Sequence, residues 1–450
     1  MQQTKAEMEF LPLYRRNLNM AFPVILSQIG QVTVALADTM MVGHSGTTDL
    51  AAASFSNSIF HVGMLFGFGI AMGITPLVGK TYSQQKFDEV GSLLKNGLFL
   101  HSLAALCLVI IMGGVGLFLG QMGQPPEVTR KSVPYFMLLV SSLLPLLVFF
   151  SFKQFLEGAG NTKIAMVITL TANLINIILN YIFIFGKFGF PAMGLLGAGL
   201  ATLFSRILMP VMLIPVILKN RKYQQIFVMA RRARIKVCML RRILAVGLPI
   251  GFQLIVEVLT FSIGAVMMGW LGKESLAAHQ VALGLASFTY MISLGVGAAA
   301  TIHVSHEMGT RNYPLIRKII YASLHLVVLF MSLMGLLFIV LRNYLPYLFT
   351  DDTGVIRIAA GLLVVAALFQ VFDGVQVILL AALRGLADVK VPMWMAFFSY
   401  TLVGLPVCYG CAFVLNFGAW GIWAGFLAGL AVAAFLFGLR LKKIIRLQSV

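Results

Sequence analysis

Twelve apolar stretches, each long enough to cross about 30 Å of hydrocarbon, recur along this chain and leave little else for a soluble fold to be built from. They run approximately over 19–43, 52–78, 94–120, 133–157, 165–187, 192–218, 243–270, 280–306, 318–340, 356–383, 392–415 and 418–440, each bounded by Gly, Pro or charge. Lipid offers no partner to a bare peptide group, so stretches of this length are expected as helices. The 60% share of hydrophobic residues in 450 exceeds what a soluble core absorbs. The expected class is an all-α integral membrane protein with twelve transmembrane helices. The segment 1–16 is polar and mixed in charge, so no cleavable signal is expected and the first span serves as its own insertion signal.

Basic residues are retained on the cytoplasmic side during insertion, which sets the expected orientation. With both termini inside, 26 of the 33 Lys and Arg fall on the inner side, among them Lys5, Arg15, Arg16, Lys153, Arg384 and nine between Lys219 and Arg242. Six fall outside (Arg130, Lys131, Lys187, Lys273, Arg342 and Arg357), and Arg206 lies within a span. The formal net charge of +18 is thereby explained as a positive-inside excess, and a nucleic-acid partner is not expected.

The second half of the chain repeats the first with a shift of 226 residues. Pro23 falls on Pro249, Gly43 on Gly269, Gly46 on Gly272, Leu50-Ala51-Ala52 on Leu276-Ala277-Ala278, Gly69 on Gly295 and Thr75 on Thr301. Later segments agree with a drift of one to three residues, as in Gly158 on Gly385, Lys163 on Lys390, Gly194 on Gly418 and Gly197 on Gly421. Six spans duplicated in the same orientation imply two six-helix lobes related by a pseudo-two-fold axis along the membrane normal, an arrangement of transporters. The expected division is an N-lobe at 1–218, a basic cytoplasmic linker and hinge at 219–242, and a C-lobe at 243–450.

Three carboxylates, Asp38, Glu257 and Asp373, sit inside the apolar runs. An ionised side chain at the bilayer centre costs about 2.5 to 3.5 kcal/mol on insertion scales, so such residues mark functional sites by default. The repeat does not preserve them: Asp38 falls on Gly264, Glu257 on Gln31 and Asp373 on Leu146. A structural role in a duplicated fold would favour both halves, so the asymmetry points to chemistry specific to each lobe.

On several motifs together the chain resembles the multidrug and toxic compound extrusion transporters, in their NorM-type branch, over essentially its whole length. The motifs are Pro23 followed by Ala37-Asp38-Thr39-Met40-Met41-Val42-Gly43, Asn173 to Asn176 with Asn180-Tyr181, Gly194 to Thr202, Leu276-Ala277-Ala278-His279-Gln280, Glu257 and Asp373. The resemblance implies two lobes around a central cleft that export cationic drugs and dyes in exchange for Na⁺ or H⁺.

A carboxylate in the membrane can hold either a proton or a hard cation. Asn176 and Asn180 are four apart and share a helix face, and Thr202 offers a hydroxyl, so four oxygen-bearing side chains can converge with Asp38. By resemblance Asp38, Asn176, Asn180 and Thr202 match the N-lobe cation site. Many relatives carry an acid where this chain has Asn180, which lowers the site's charge and favours protonation of Asp38 over Na⁺. By resemblance Glu257 and Asp373 are the C-lobe pair for the coupling ion, Na⁺ if the chain is sodium-coupled, and they bind the drug's charge together with Asp38. Arg206 lies four positions after Thr202, on roughly the same face; as a partner of Asp38 it would make proton carriage there harder.

Phe55, Phe60, Phe66, Phe68, Phe288, Tyr290 and 24 methionines are expected mostly as scaffold, with a minority lining a drug-binding wall. His279 and His303 read as structural, and Cys107, Cys238, Cys408 and Cys411 lack a metal-ligand or disulfide pattern. The expected function is secondary active antiport of amphipathic organic cations, with no cofactor beyond the coupling ion. The alternative is a flippase or exporter of a lipid-linked or other metabolite, which calls for a cationic cleft. No intramembrane enzyme motif is present, so an enzyme is not expected. The expected setting is a bacterial inner membrane, multi-pass, with both termini cytoplasmic and the chain a monomer.

Overall fold

The structure, a computed structural model, describes residues 10–448; Lys5, counted among the inner cations, lies outside them. Among the described residues twelve helices are long and apolar enough to span a membrane. In chain order they are α1 (Phe10–Ser45), α2 (Thr47–Ser83), α3 (Phe87–Leu117), α4 (Pro126–Gly158), α5 (Lys163–Phe185) and α6 (Leu195–Lys219). After a short helix α7 (Arg221–Arg232) come α8 (Val237–Trp270), α9 (Lys273–Thr310), α10 (Tyr313–Val340), α11 (Thr353–Gly385), α12 (Lys390–Val414) and α13 (Ala419–Leu447). Most run several residues past the apolar runs, because helix continues into the polar flanks until a cap or a left-handed residue stops it.

The repeat read from the sequence is carried by the backbone itself. Residues with positive φ, between +53° and +82°, occur in pairs, Gln85 with Arg311, Gly160 with Ala387, Phe188 with Asn416 and Gly194 with Gly418. Three of these pairs differ in residue type, yet the backbone takes the same sparsely allowed positive φ at each. Contacts repeat as well. Thr75 Oγ1 donates to the Gln154 carbonyl at 3.3 Å, and Thr301 Oγ1 to that of Ala381 at 2.9 Å. Gly158 and Gly385 complete the pattern. A Cβ at either would stand 2.9 Å from the carbonyl oxygen of Thr75 or Thr301, so both positions need glycine to let α4 meet α2 and α11 meet α9.

By contacts the chain forms two compact units, one of residues 26–251 and the other of residues up to Ile25 together with those from Phe252 onward. The cuts at Ile25 and Gly251 are themselves 226 apart, the repeat's own register. They fall inside α1 and α8, two residues after the interior prolines Pro23 and Pro249. The first part of α1 belongs to the second unit through specific bonds: Asn17 Nδ2 to Ser323 Oγ at 2.9 Å, Tyr14 Oη with His325 Nδ1 at 2.9 Å, and Arg16 with Glu307 at 3.6 Å. The first part of α8 belongs to the first unit, with Gly247 against Ile70 and Gly251 against Phe66 of α2.

The basic stretch 219–242, expected as a hinge, is docked rather than free. α7 buries Tyr223, Ile226 and Ala230. Lys95 Nζ donates to the carbonyls of Arg231 and Ala233, Asn96 accepts from the Lys236 N–H at 2.8 Å, and Arg242 pairs with Glu89 at 2.7 Å. These bonds fasten the stretch to α3, and the chain changes unit inside α1 and α8.

Each unit has its own apolar core. In the first, Phe136, Leu139, Leu143 and Leu147 of α4 pack with Phe60 of α2 and Leu195 of α6. In the second, Phe369 of α11 packs with Trp423, Phe426 and Phe437 of α13. His279 sits in that second core, where Nδ1 accepts from Trp423 Nε1 at 3.2 Å, a packing role. Two of the cations placed on the inner side turn inward instead: Lys153 is buried beside Glu157 at 3.9 Å, and the guanidinium of Arg384 reaches Gln253. All four cysteines are free, and the buried Cys408 thiol donates to the Ile422 carbonyl at 3.2 Å.

Candidate functional site

Each unit holds one polar cluster built around the carboxylates singled out by the sequence. In the first unit Asp38, near the end of α1, accepts a short hydrogen bond from Asn180 Nδ2 of α5. The same amide donates to Asn176 Oδ1 at 3.1 Å, as their spacing of one helical turn requires. With Nδ2 so engaged, Asn180 Oδ1 is left buried with no hydrogen-bond partner. Thr202 is not drawn into this network; among the described residues it makes no hydrogen bond, although it stands on α6 one turn before Arg206.

Arg206 does join the cluster. Its Nη1 donates to Ser142 Oγ at 2.6 Å, and its guanidinium lies over the Phe60 ring at 5.0 Å. Ser142 is ready to accept because its own hydroxyl hydrogen goes to the Leu139 carbonyl at 2.5 Å, at the point where α4 is interrupted. Asp38 and Arg206 stand within each other's electrostatic reach, with Tyr135 beside both. Among the described residues they form no ion pair.

In the second unit Glu257 of α8, Asp373 of α11, Tyr290 of α9, Tyr400 of α12 and Arg384 of α11 share one electrostatic neighbourhood. Glu257 Oε1 accepts from Tyr290 Oη at 3.3 Å, and the buried Asp373 takes a hydrogen bond from Gln376 one turn along α11. Arg384 Nη2 donates to Gln253 Oε1 at 3.2 Å, one turn before Glu257 on α8. Tyr400 lies in a π-helical segment, Phe398–Gly404, within α12. Such widened turns recur at functional sites because they turn side chains off the helical register. Several polar atoms here are buried with no protein partner: Arg384 Nε, Gln253 Nε2, Tyr400 Oη, Ser399 Oγ, Gln376 Oε1 and Ser293 Oγ. A buried polar atom without a partner costs about 1 to 3 kcal/mol, so this interior is built for an occupant.

Glu257 and Asp373 stand within each other's electrostatic reach, and Asp38 shares a hydrogen bond with Asn180, which in turn bonds Asn176. Sequence reading missed Arg384, which it counted as a loop cation, and gave no role to Gln253, Tyr400 or Ser142. The signal for Arg384 was present: it lies eleven residues, about three turns, after Asp373, hence on the same face of α11. Gln253 likewise shares the face of Glu257. No group of three His, Cys, Asp or Glu suited to a metal centre occurs among the described residues.

Helical spans in duplicate, each unit carrying its own interior acid, define a multi-pass membrane transporter fold. The model of the MatE family matches residues 23–182 and 249–410, two segments starting at the repeat register of 226. A probable multidrug resistance protein NorM of Mesorhizobium japonicum is 33% identical over 94% of this chain and 92% of its own. Multidrug resistance protein NorM of Photobacterium profundum is 32% identical over 95% of each. A solved structure of a MOP superfamily transporter from Pyrococcus furiosus, described as having a binding pocket of reverse polarity, superposes with a TM-score of 0.86 over 97% of each chain at 18% identity. The chain belongs to the MatE family of multidrug and toxic compound extrusion transporters, and its curated relatives are of NorM type.

Proposed function

We propose that the protein exports amphipathic organic cations, drugs and dyes, in antiport with inward Na⁺ or H⁺, from a bacterial inner membrane with both termini cytoplasmic. The observation that carries this reading is the charge of the second unit's interior. Glu257 and Asp373 are two buried carboxyl groups beside one guanidinium, Arg384, so with both acids ionised the interior carries one negative charge in excess. A cation is the ligand such an interior attracts, and Na⁺ or H⁺ bound to the same carboxylates weakens its hold on the drug. Differential affinity of this kind is what exchange requires. Asp38, with Asn176 and Asn180, is the second polar place, and its carboxylate already has Arg206 in reach. The two units, residues 26–251 and residues up to Ile25 together with those from Phe252 onward, are the proposed moving parts, with the chain acting as a monomer.

Fold alone does not choose the cargo, since the Pyrococcus furiosus transporter with a pocket of reverse polarity shares it. The sign of the interior charge favours cations over a lipid-linked pyrophosphate. Ethidium efflux from cells lacking other pumps, under imposed Na⁺ or proton gradients, tests the reading. Glu257→Gln and Asp373→Asn are each expected to cut efflux at least tenfold, and efflux is expected to follow one of the two gradients. Wild-type rates in both variants would sink it.

A further inference from the structure

The two acid clusters differ in one respect that the repeat does not explain. In the second unit a pair of acids, Glu257 and Asp373, has one guanidinium, Arg384, within reach of Glu257, whereas in the first a single acid, Asp38, has a single guanidinium, Arg206, within electrostatic reach, and its hydrogen-bond partner is the neutral Asn180. The formal charge of the first cluster is therefore zero. We propose that Arg206 is the resident cation of the Asp38 site, a specificity-determining residue that reserves this carboxylate for a tethered guanidinium and excludes a free metal cation. The inference rests on the export reading above for its meaning, but not for its test.

The geometry supports tethering rather than permanent pairing. Arg206 is parked on Ser142 Oγ at 2.6 Å and over Phe60 at 5.0 Å, and only one of its five N–H groups is committed by these contacts. Asp38 is held by one amide donor, and Asn180 Oδ1 beside it is buried without any donor. The acceptors left over around Asp38 and the donors left over on Arg206 are complementary. Na⁺ entering the same space would draw on the Asp38 carboxylate and the Asn180 oxygen and would meet the like charge of Arg206 in a medium that screens it weakly. A guanidinium does the opposite of a bound ion in one respect: it cannot leave, so this acid is neutralised without drawing on the ion gradient. Coupling is then confined to Glu257 and Asp373. The arrangement departs from the expectation that Asp38, Asn176, Asn180 and Thr202 receive the coupling ion.

Binding of radiolabelled Na⁺ to the purified full chain in nanodiscs tests this, in the Glu257→Gln/Asp373→Asn background that silences the second unit. That background is expected to bind Na⁺ at least tenfold less than the same background carrying Arg206→Gln. The gain is expected to vanish on further Asp38→Asn and to be absent in Arg206→Lys, which keeps the charge. Two results overturn the proposal. One is Na⁺ binding in the silenced background that Asp38→Asn abolishes, which needs no Arg206 variant to fold. The other is no gain in an Arg206→Gln protein that is monodisperse and unfolds at the temperature of its parent. Failure of the export reading would be seen elsewhere, in wild-type efflux, and would leave this result standing.

Discussion

Glycine and carboxylate are the residues on which single positions decide most here. Gly158 and Gly385 are equivalent under the repeat, and each would push a Cβ into a carbonyl oxygen and a valine Cβ at 2.8–2.9 Å. Backbone cannot retreat as a flexible side chain can, so Gly158→Ala and Gly385→Ala are each expected to destabilise by about 1 to 3 kcal/mol. Equal losses in thermal unfolding of the two variants would confirm that the contacts are one contact used twice; a neutral result at either would contradict it. The acids were legible from sequence because charge inside an apolar run is costly wherever it points. Arg206 was legible as a candidate partner of Asp38 because it lies within a span, but Arg384 was not. Arg384 sits near a helix end, where a cation normally reaches water, and only the packing of α8 against α11 turns its guanidinium toward Gln253.

Elements are joined at their ends by bonds that no periodicity announces. Asp49, in the first turn of α2 and only 4% exposed, accepts from Ser45 Oγ of α1 at 2.7 Å, from Lys131 Nζ of α4 and from the Leu195 N–H that opens α6. One carboxylate so gathers four helices and caps the start of α6, where an anion meets the positive end of the helix dipole. Asp49→Ala is expected to cost about 2 to 4 kcal/mol, because three donors lose their acceptor at once. Lys131→Ala is expected to cost about 1 kcal/mol or less, since its amine is half exposed and Asp49 keeps its other donors. Denaturant unfolding of the two variants in detergent checks the order, and a larger loss at Lys131 would refute this assignment. α12 makes the converse point. Its composition reads as an ordinary span, yet residues 398–404 and 410–414 are π-helical, a register set by what α12 packs against.

For the molecule as a whole, the orientation proposed from the basic residues has a direct test in the cysteines. Cys238 is exposed at the start of α8 beside Lys236, whereas Cys107 is exposed within the apolar run of α3, where a charged reagent does not reach it. A membrane-impermeant maleimide is expected to spare Cys238 in intact spheroplasts and to label it once they are opened. Labelling from outside would invert the orientation. The duplicated architecture is equally a whole-molecule property. Both cuts between units fall at one repeat position, so α1 and α8 are each shared between the units, although the sequence placed the divide at the basic stretch 219–242.

Span number, the helical class and the repeat were determined by sequence alone, because hydrocarbon forces every long apolar run to satisfy its own backbone and duplicated residues keep their spacing. The three acids were determined in the same way, by a cost that depends on burial and not on neighbours. Tertiary structure alone decided how each guanidinium is held. It brought Arg206 to Asp38 and Ser142, and Arg384 to Gln253 and Glu257, through residues 64 and 131 positions apart in the chain. It also decided where the chain passes from one unit to the other. Long side chains and helix faces find their partners by packing, and packing joins residues whose separation in sequence carries no trace of the contact.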